Sequence, residues 1–205
     1  MTRQAVKFVL GAACAVTVVS AAVAQQQNVR MRGTVERVDG STYVVRAGEA
    51  GDVKVTLAEK AGVFGVAKAT LADIKPGAFI GVGADPQPDG SQKAIQVTIF
   101  AESQRGTGEG HRAWDRPNTT MTNATVETTA GAVEGQTLTV KYKMGDRTGE
   151  QKIVVPPDAV IRAYVASDAS ELKPGANIMI MNATRKPDGT IEATRINVGR
   201  DGMAP

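Results

Sequence analysis

Ile74-Lys75-Pro76-Gly77-Ala78 returns as Leu172-Lys173-Pro174-Gly175-Ala176, 98 positions later. Pro88-Asp89-Gly90 returns as Pro187-Asp188-Gly189, 99 positions later, so one residue has been inserted in between. Around each pair the order is the same: a sharp turn, an apolar alternating run, a second sharp turn and a last alternating run. The chain is an internal duplication, and one copy serves as a ruler for the other.

Working outward, the first copy covers residues 29–100. Val29, Met31, Gly33 and Val35 alternate with Arg30, Arg32, Thr34 and Glu36, which is the period of a half-buried strand. Asp39-Gly40 is a hairpin signal, and Tyr43-Val44-Val45 begins the return strand. Val53, Val55 and Leu57 mark a third strand. Residues 59–73 are rich in Ala and Lys and contain Gly62 and Gly65. They read as a connection with one helical turn at its end, Thr70 capping it and Asp73 completing the capping box. Ile80 and Val82 mark a fourth strand, and Ile95, Val97 and Ile99 a fifth.

The second copy, residues 123–199, repeats the pattern. Thr125-Val126-Glu127 matches Thr34-Val35-Glu36, Ile153 and Val155 match Val55 and Leu57, and Ile196 and Val198 match Val97 and Ile99. Pro156-Pro157-Asp158 stands where the first copy has Ala58-Glu59-Lys60, which stiffens the exit from that strand. Three strands, a connection and two strands predict an all-β protein of two tandem five-stranded OB-like barrels, with small β-sandwiches as the alternative. Residues 101–122 read as an irregular linker and 200–205 as a tail.

The first 24 residues predict a secretory signal peptide. Arg3 and Lys7 precede an apolar run from Phe8 to Ala24 that ends in Ala22-Val23-Ala24. Cleavage there places the protein in the periplasm or outside the cell. It removes the single cysteine, Cys14, whose lipidation the sequence leaves open. It also lowers the formal charge from +3 to +1, so the basic composition carries no nucleic-acid reading. No later apolar run approaches the ~20 residues of a membrane span.

Chemistry-bearing patterns are sparse. His111 is the only histidine, and no Gly-x-Ser-x-Gly elbow accompanies it. Ser170-Glu171-Leu172-Lys173 fits Ser-x-x-Lys without a partner motif, and Gly106 to Gly110 is glycine-rich without the Lys-Ser/Thr of a phosphate loop. The candidate ligand-binding residues are His111, Trp114 and Asp115. The candidate metal ligands are Glu109, His111 and Asp115, as mixed nitrogen and oxygen donors, and Met179 with Met181 (joined by Met31 or Met144) as soft thioethers. The competing readings are a surface loop, a Trp114 that pins the linker, and methionines that fill an interface. Met179 and Met181 stand where the first copy has Gly81 and Gly83.

With both Lys-Pro-Gly turns, both Pro-Asp-Gly turns and the Gly-Glu-Gly-His-Arg-Ala-Trp-Asp linker in view, residues 29–202 resemble a family of exported bacterial proteins. These carry a small OB-like β domain of unknown function, here in tandem, and some relatives bear automatic metal-transporter-permease labels. The resemblance implies export and fold, and brings no active-site residues. The expected function is a non-enzymatic periplasmic binding or accessory module without a cofactor, for a partner protein, an envelope glycan or a small ligand. The alternative is a metal-handling protein.

Overall fold

The computed structural model describes residues 29–132 and 135–205, so the leader read over residues 1–24 lies outside the described residues. The described residues are all-β, with short 3-10 turns and no α-helix. The strands are β1 (Met31–Asp39), β2 (Thr42–Arg46), β3 (Asp52–Lys68), β4 (Phe79–Pro86), β5 (Gln92–Ile99), β6 (Gly110–Ala113), β7 (Thr120–Ala132), β8 (Gly135–Met144), β9 (Arg147–Val155), β10 (Val160–Ala166), β11 (Asn177–Arg185) and β12 (Ile191–Gly199).

Neither copy closes on itself. β1 pairs antiparallel with β2 and with β11, β2 pairs with β3, and β11 pairs with β12. β12 then returns parallel to β3, with Ile191↔Val55 at one end and Gly199↔Val66 at the other. This is one closed, five-stranded mixed barrel, built from the first three strands of copy one and the last two of copy two. The remaining strands make the reciprocal arrangement. β4 pairs with β5 and β7, β7 with β8 and β8 with β9, all antiparallel. β5 and β9 meet in parallel at Gln92↔Ile153 and Lys93↔Val154.

The expectation that residues 29–100 and 123–199 each build a separate barrel is therefore corrected: the copies exchange their last hairpins. The sandwich alternative gives way to the closed barrel. The cores follow the exchange. Val35, Val45 and Val55 are buried with Ile178, Ile180 and Ile196, whereas Ile80, Val82 and Val97 are buried with Val126, Leu138 and Ile153.

The cause is the segment read as a connection. Val63, Gly65 and Ala67 alternate with Gly62, Phe64 and Val66, and β3 runs unbroken from Asp52 to Lys68. The stretch beyond Leu57 stays in the ladder with β12, from Arg195↔Gly62 to Gly199↔Val66 after a register shift, and its end also pairs with β10. β3 therefore leaves the closed barrel only at its last residues, at the seam between the two strand sets. The hairpin that follows is delivered to the other set of strands. The 3-10 turn Leu71–Asp73 then forms where the capping residues predict a helical turn. The Asp73 carboxylate accepts from the Thr70 N–H at 2.8 Å and the Thr70 hydroxyl at 2.7 Å.

Both Lys-Pro-Gly turns join the exchange. The Gly77 N–H donates to the Val126 carbonyl at 2.8 Å, and the Val126 N–H donates to the Ala78 carbonyl at 2.9 Å. The Gly175 N–H and the Val35 carbonyl, and the Val35 N–H and the Ala176 carbonyl, repeat these bonds at 2.8 and 2.9 Å. Each turn docks on the first strand of the other copy.

In copy two, Pro156-Pro157 splits the counterpart of β3 into β9 and β10, because proline has no N–H for a ladder. β10 pairs antiparallel with the end of β3, from Arg162↔Lys68 to Ala166↔Phe64, and parallel with β5, from Val160↔Gln96 to Ala163↔Ile99. Val66 and Tyr164 are repeat equivalents, 98 positions apart, and they are each other's partners. A local two-fold axis passes through that pair and relates the two halves.

The linker also differs from its expectation as an irregular segment. Glu102–Gln104 forms a 3-10 turn, and β6 pairs antiparallel with the start of β7, from Gly110↔Asn123 to Ala113↔Thr120. Four residues of alternation beside three glycines are too few to stand out as a strand in sequence.

Candidate functional site

A cleft runs between the two halves, beside the two-fold axis. One wall comes from the closed barrel: Arg30 and Arg32 at and before the start of β1, and Met179 and Met181 on β11. The other comes from Gly81 on β4, Gln96 and Thr98 on β5, Met121 and Asn123 on β7, and Arg112 and Trp114 on and just after β6. Arg162 and Tyr164 on β10 complete it. The inner part holds about 260 Å³, and an outer part of about 600 Å³ adds Met31 and Arg116.

The backbone of this cleft repeats across the axis, but its side chains do not. Arg32 pairs with Met179 in the ladder, and at the equivalent place Asn123 pairs with Gly81. The bare backbone of β4 admits aromatic rings. A Cβ at Gly83 would lie 2.5 Å from Trp114 Cζ3, and a Cβ at Gly81 would lie 2.9 Å from both Phe100 Cε2 and Asn123 Oδ1. Phe100 continues edge-on into Phe79 and Tyr164, with ring centroids 5.3 Å apart in both pairs.

The candidates named from the sequence divide between two places once the strand is drawn. Trp114, Asp115, Met179 and Met181 line the cleft. His111 lies on the opposite face of β6 from Trp114, half-buried, with Nδ1 2.8 Å from Thr122 Oγ1 and its ring stacked at 6.1 Å on Tyr142. Burial pushes its pKa below the ordinary histidine value, so at neutral pH it is an uncharged ring in a polar-edged packing position. Glu109 accepts from the backbone N–H of Lys143 at 3.0 Å. Glu109, His111 and Asp115 are thus not gathered, and no group of three or more His, Cys, Asp or Glu side chains is placed to hold a metal among the described residues. Met144 packs near Gly110, away from the cleft.

The arginines were not singled out by sequence. Arg30, Arg32, Arg112, Arg116 and Arg162 line the cleft, and Asp115 is the only acid among its lining residues. The cleft arginines that have partners are held by neutral acceptors. Arg32 Nε donates to Met179 Sδ at 3.4 Å, Arg112 to the Gly108 carbonyl at 2.8 Å, and Arg162 Nε to Thr98 Oγ1 at 3.0 Å. Among the described residues none of the five forms an ion pair, whereas Arg37, Arg46, Arg105 and Arg200, elsewhere on the surface, each meet a carboxylate. The repeat itself holds the missed signal: aligning Thr34 with Thr125 sets Arg30 and Arg32 against Met121 and Asn123.

Asn123 is 6% exposed; its Nδ2 donates to the Thr107 carbonyl at 2.9 Å, while its Oδ1 is buried without a partner. A buried carbonyl oxygen with no donor costs on the order of 1–3 kcal/mol, which a donor supplied from the cleft would recover. Among the described residues no helix is long and apolar enough to cross a membrane. Comparison with protein-family models, with curated proteins and with solved structures finds no match to this chain.

Proposed function

We propose that the chain is an exported, non-enzymatic binding module, in which two OB-like barrels with exchanged hairpins hold a ligand in the cleft between them. One observation carries the reading. The two features that break the repeat, the linker strand with Trp114 and the replacement of Gly81 and Gly83 by Met179 and Met181, belong to the same cleft. Divergence of a duplicated scaffold at one shared concavity is what a binding role at that place requires. The walls offer apolar surface and hydrogen-bonding groups, and among the described residues no nucleophile–base pair lines them.

Trp114 is the only tryptophan of the chain, so its emission reports on the cleft without a label. Titration of the purified full chain with fractionated cell-envelope extract is expected to give a saturable emission change, with the active molecule recovered unaltered. Turnover of that molecule, or no response to any fraction, overturns the reading.

Metal handling has less support. The thioethers of Met179 and Met181 lie in the cleft, but the guanidinium of Arg32 already donates to Met179, and a cation beside the sulfur opposes a second one. Stoichiometric copper in protein isolated from its native source would reverse that ranking.

A further inference from the structure

We infer that the ligand of this cleft is an acidic sugar, free or as one unit of a glycan, whose carboxylate, phosphate or sulfate is taken by the arginines. The inference rests on the binding-module reading and adds the ligand's chemistry to it. Arg30 and Arg32 sit two positions apart, just before and at the start of β1, and Arg162 enters from β10. Neutral acceptors orient Arg32 and Arg162 without cancelling their charge. Arg30 makes no hydrogen bond or ion pair among the described residues. Unneutralised guanidinium groups repel one another, and the partner that satisfies a planar fork of N–H donors is an oxyanion. Concave walls focus this positive potential into the cleft.

Charge alone would fit any anion, and two further groups narrow the class. Asn123 offers a buried Oδ1 that needs a donor, and a sugar hydroxyl supplies one where a sulfate dianion does not. Trp114 lines both the inner and outer parts of the cleft and gives apolar surface for a sugar ring. The inner volume of about 260 Å³ lies just below the usual range of about 300 to 1,000 Å³ for drug-sized ligands, which suits a single acidic unit. The outer part leaves room for adjoining units of a chain.

The test uses the full chain and Trp114 emission, with calorimetry alongside. The probes are galacturonic acid, glucuronic acid, glucose 6-phosphate, an oligogalacturonate, the neutral sugars galactose and glucose, and inorganic sulfate and phosphate. Saturable binding of at least one acidic sugar is expected, ten-fold or more tighter than its neutral parent and weakened by added salt. Tighter binding of the oligogalacturonate than the monomer assigns the polymer as the source, and equal binding assigns the free sugar. The double variant Arg30→Gln, Arg32→Gln is expected to lose ten-fold or more in affinity with an unchanged melting temperature, both side chains being exposed; Arg37→Gln, outside the cleft, is expected to bind as the parent does. Equal affinity for acidic and neutral sugars, unchanged binding by the double variant, or no binding of any acidic probe overturns the inference. Inorganic sulfate or phosphate binding as tightly as the best acidic sugar overturns it as well. A neutral sugar that alone moves Trp114 overturns the acidic assignment while leaving the binding module standing.

Discussion

β3 and its counterpart in the second copy begin alike and end differently. In copy one the strand is continuous from Asp52 to Lys68; in copy two Pro156-Pro157 interrupts it, and β10 resumes alone. Both routes lead the chain out of one strand set and into the other, so the exchange of hairpins survives the break. The exchange therefore does not need an unbroken ladder. What the break changes is freedom: β10 is placed parallel to β5 as well as antiparallel to β3, and it brings Arg162 and Tyr164 into the cleft. A second contrast sits on the fourth strands, where glycines receive Phe100 and Trp114 on one side and methionines fill the space on the other.

The largest expected effects come from core truncations that test which copy completes which barrel. Ile196 and Val63 are register partners from different copies, both buried in the same core. Ile196→Ala is expected to cost about 2–5 kcal/mol in urea unfolding and Val63→Ala somewhat less. Together they should depart from additivity by about 0.5 kcal/mol or more, whereas Ile196→Ala with Val97→Ala, in separate cores, should add within about 0.5 kcal/mol. The opposite pattern would mean that each copy closes its own barrel.

Next comes the glycine–methionine contrast. Gly83→Met forces a side chain into space held by the Trp114 ring, and a cost of about 1–3 kcal/mol with a red-shifted emission is expected. Emission identical to the parent's would show that Trp114 does not depend on bare backbone there. The turns should behave as equals. Gly77 at φ 84° and Gly175 at φ 86° have open space around a would-be Cβ, so the strain of alanine is purely backbone. Each Gly→Ala should lower stability by about 1 kcal/mol. Unequal losses would show that one turn carries more of its docking on the opposite copy.

The smallest expected difference concerns acid. The Asp89 carboxylate is held below its ordinary pKa by the Ser91 hydroxyl and then the Ser91 N–H, and Asp188 by the Thr190 N–H and then its hydroxyl. A pKa lower in the folded than in the unfolded chain contributes stability above the unfolded value, about 3.9, and loses it as pH falls through the folded one. Melting temperature should therefore decline below about pH 4, and Asp89→Asn and Asp188→Asn should each flatten that decline by a similar amount.

Much of this was legible in the sequence. Alternation located the five strands expected of each copy, though not β6, β10 or the second half of β3, and Gly40, Gly77, Gly90, Gly175 and Gly189 all occupy the left-handed conformation their turn positions demand. The partner of each hairpin was not legible, because Ile80 and Val82 present the same apolar face to β1 or to β7. The extension of β3 to Lys68 is what separates the two outcomes, and Gly62 and Gly65 disguised its second half as a loop. For the site, laying one copy over the other pointed at Trp114 and at Met179 and Met181. It did not separate Trp114 from His111, which needs the alternation of β6. Nor did it gather arginines spread from position 30 to position 162, which only the exchanged topology brings together.

The exchange also sets an order of events for a chain that emerges from its N-terminus. All strands of the second set have appeared once Val155 is made. β1, β2 and β3 appear first of all, yet their barrel has no closing hairpin until β12 ends at Gly199. The earliest part of the protein must wait for the latest. Its closure is paid for by the longest loops in the fold, so the step that finishes the closed barrel is also the slowest to be reached.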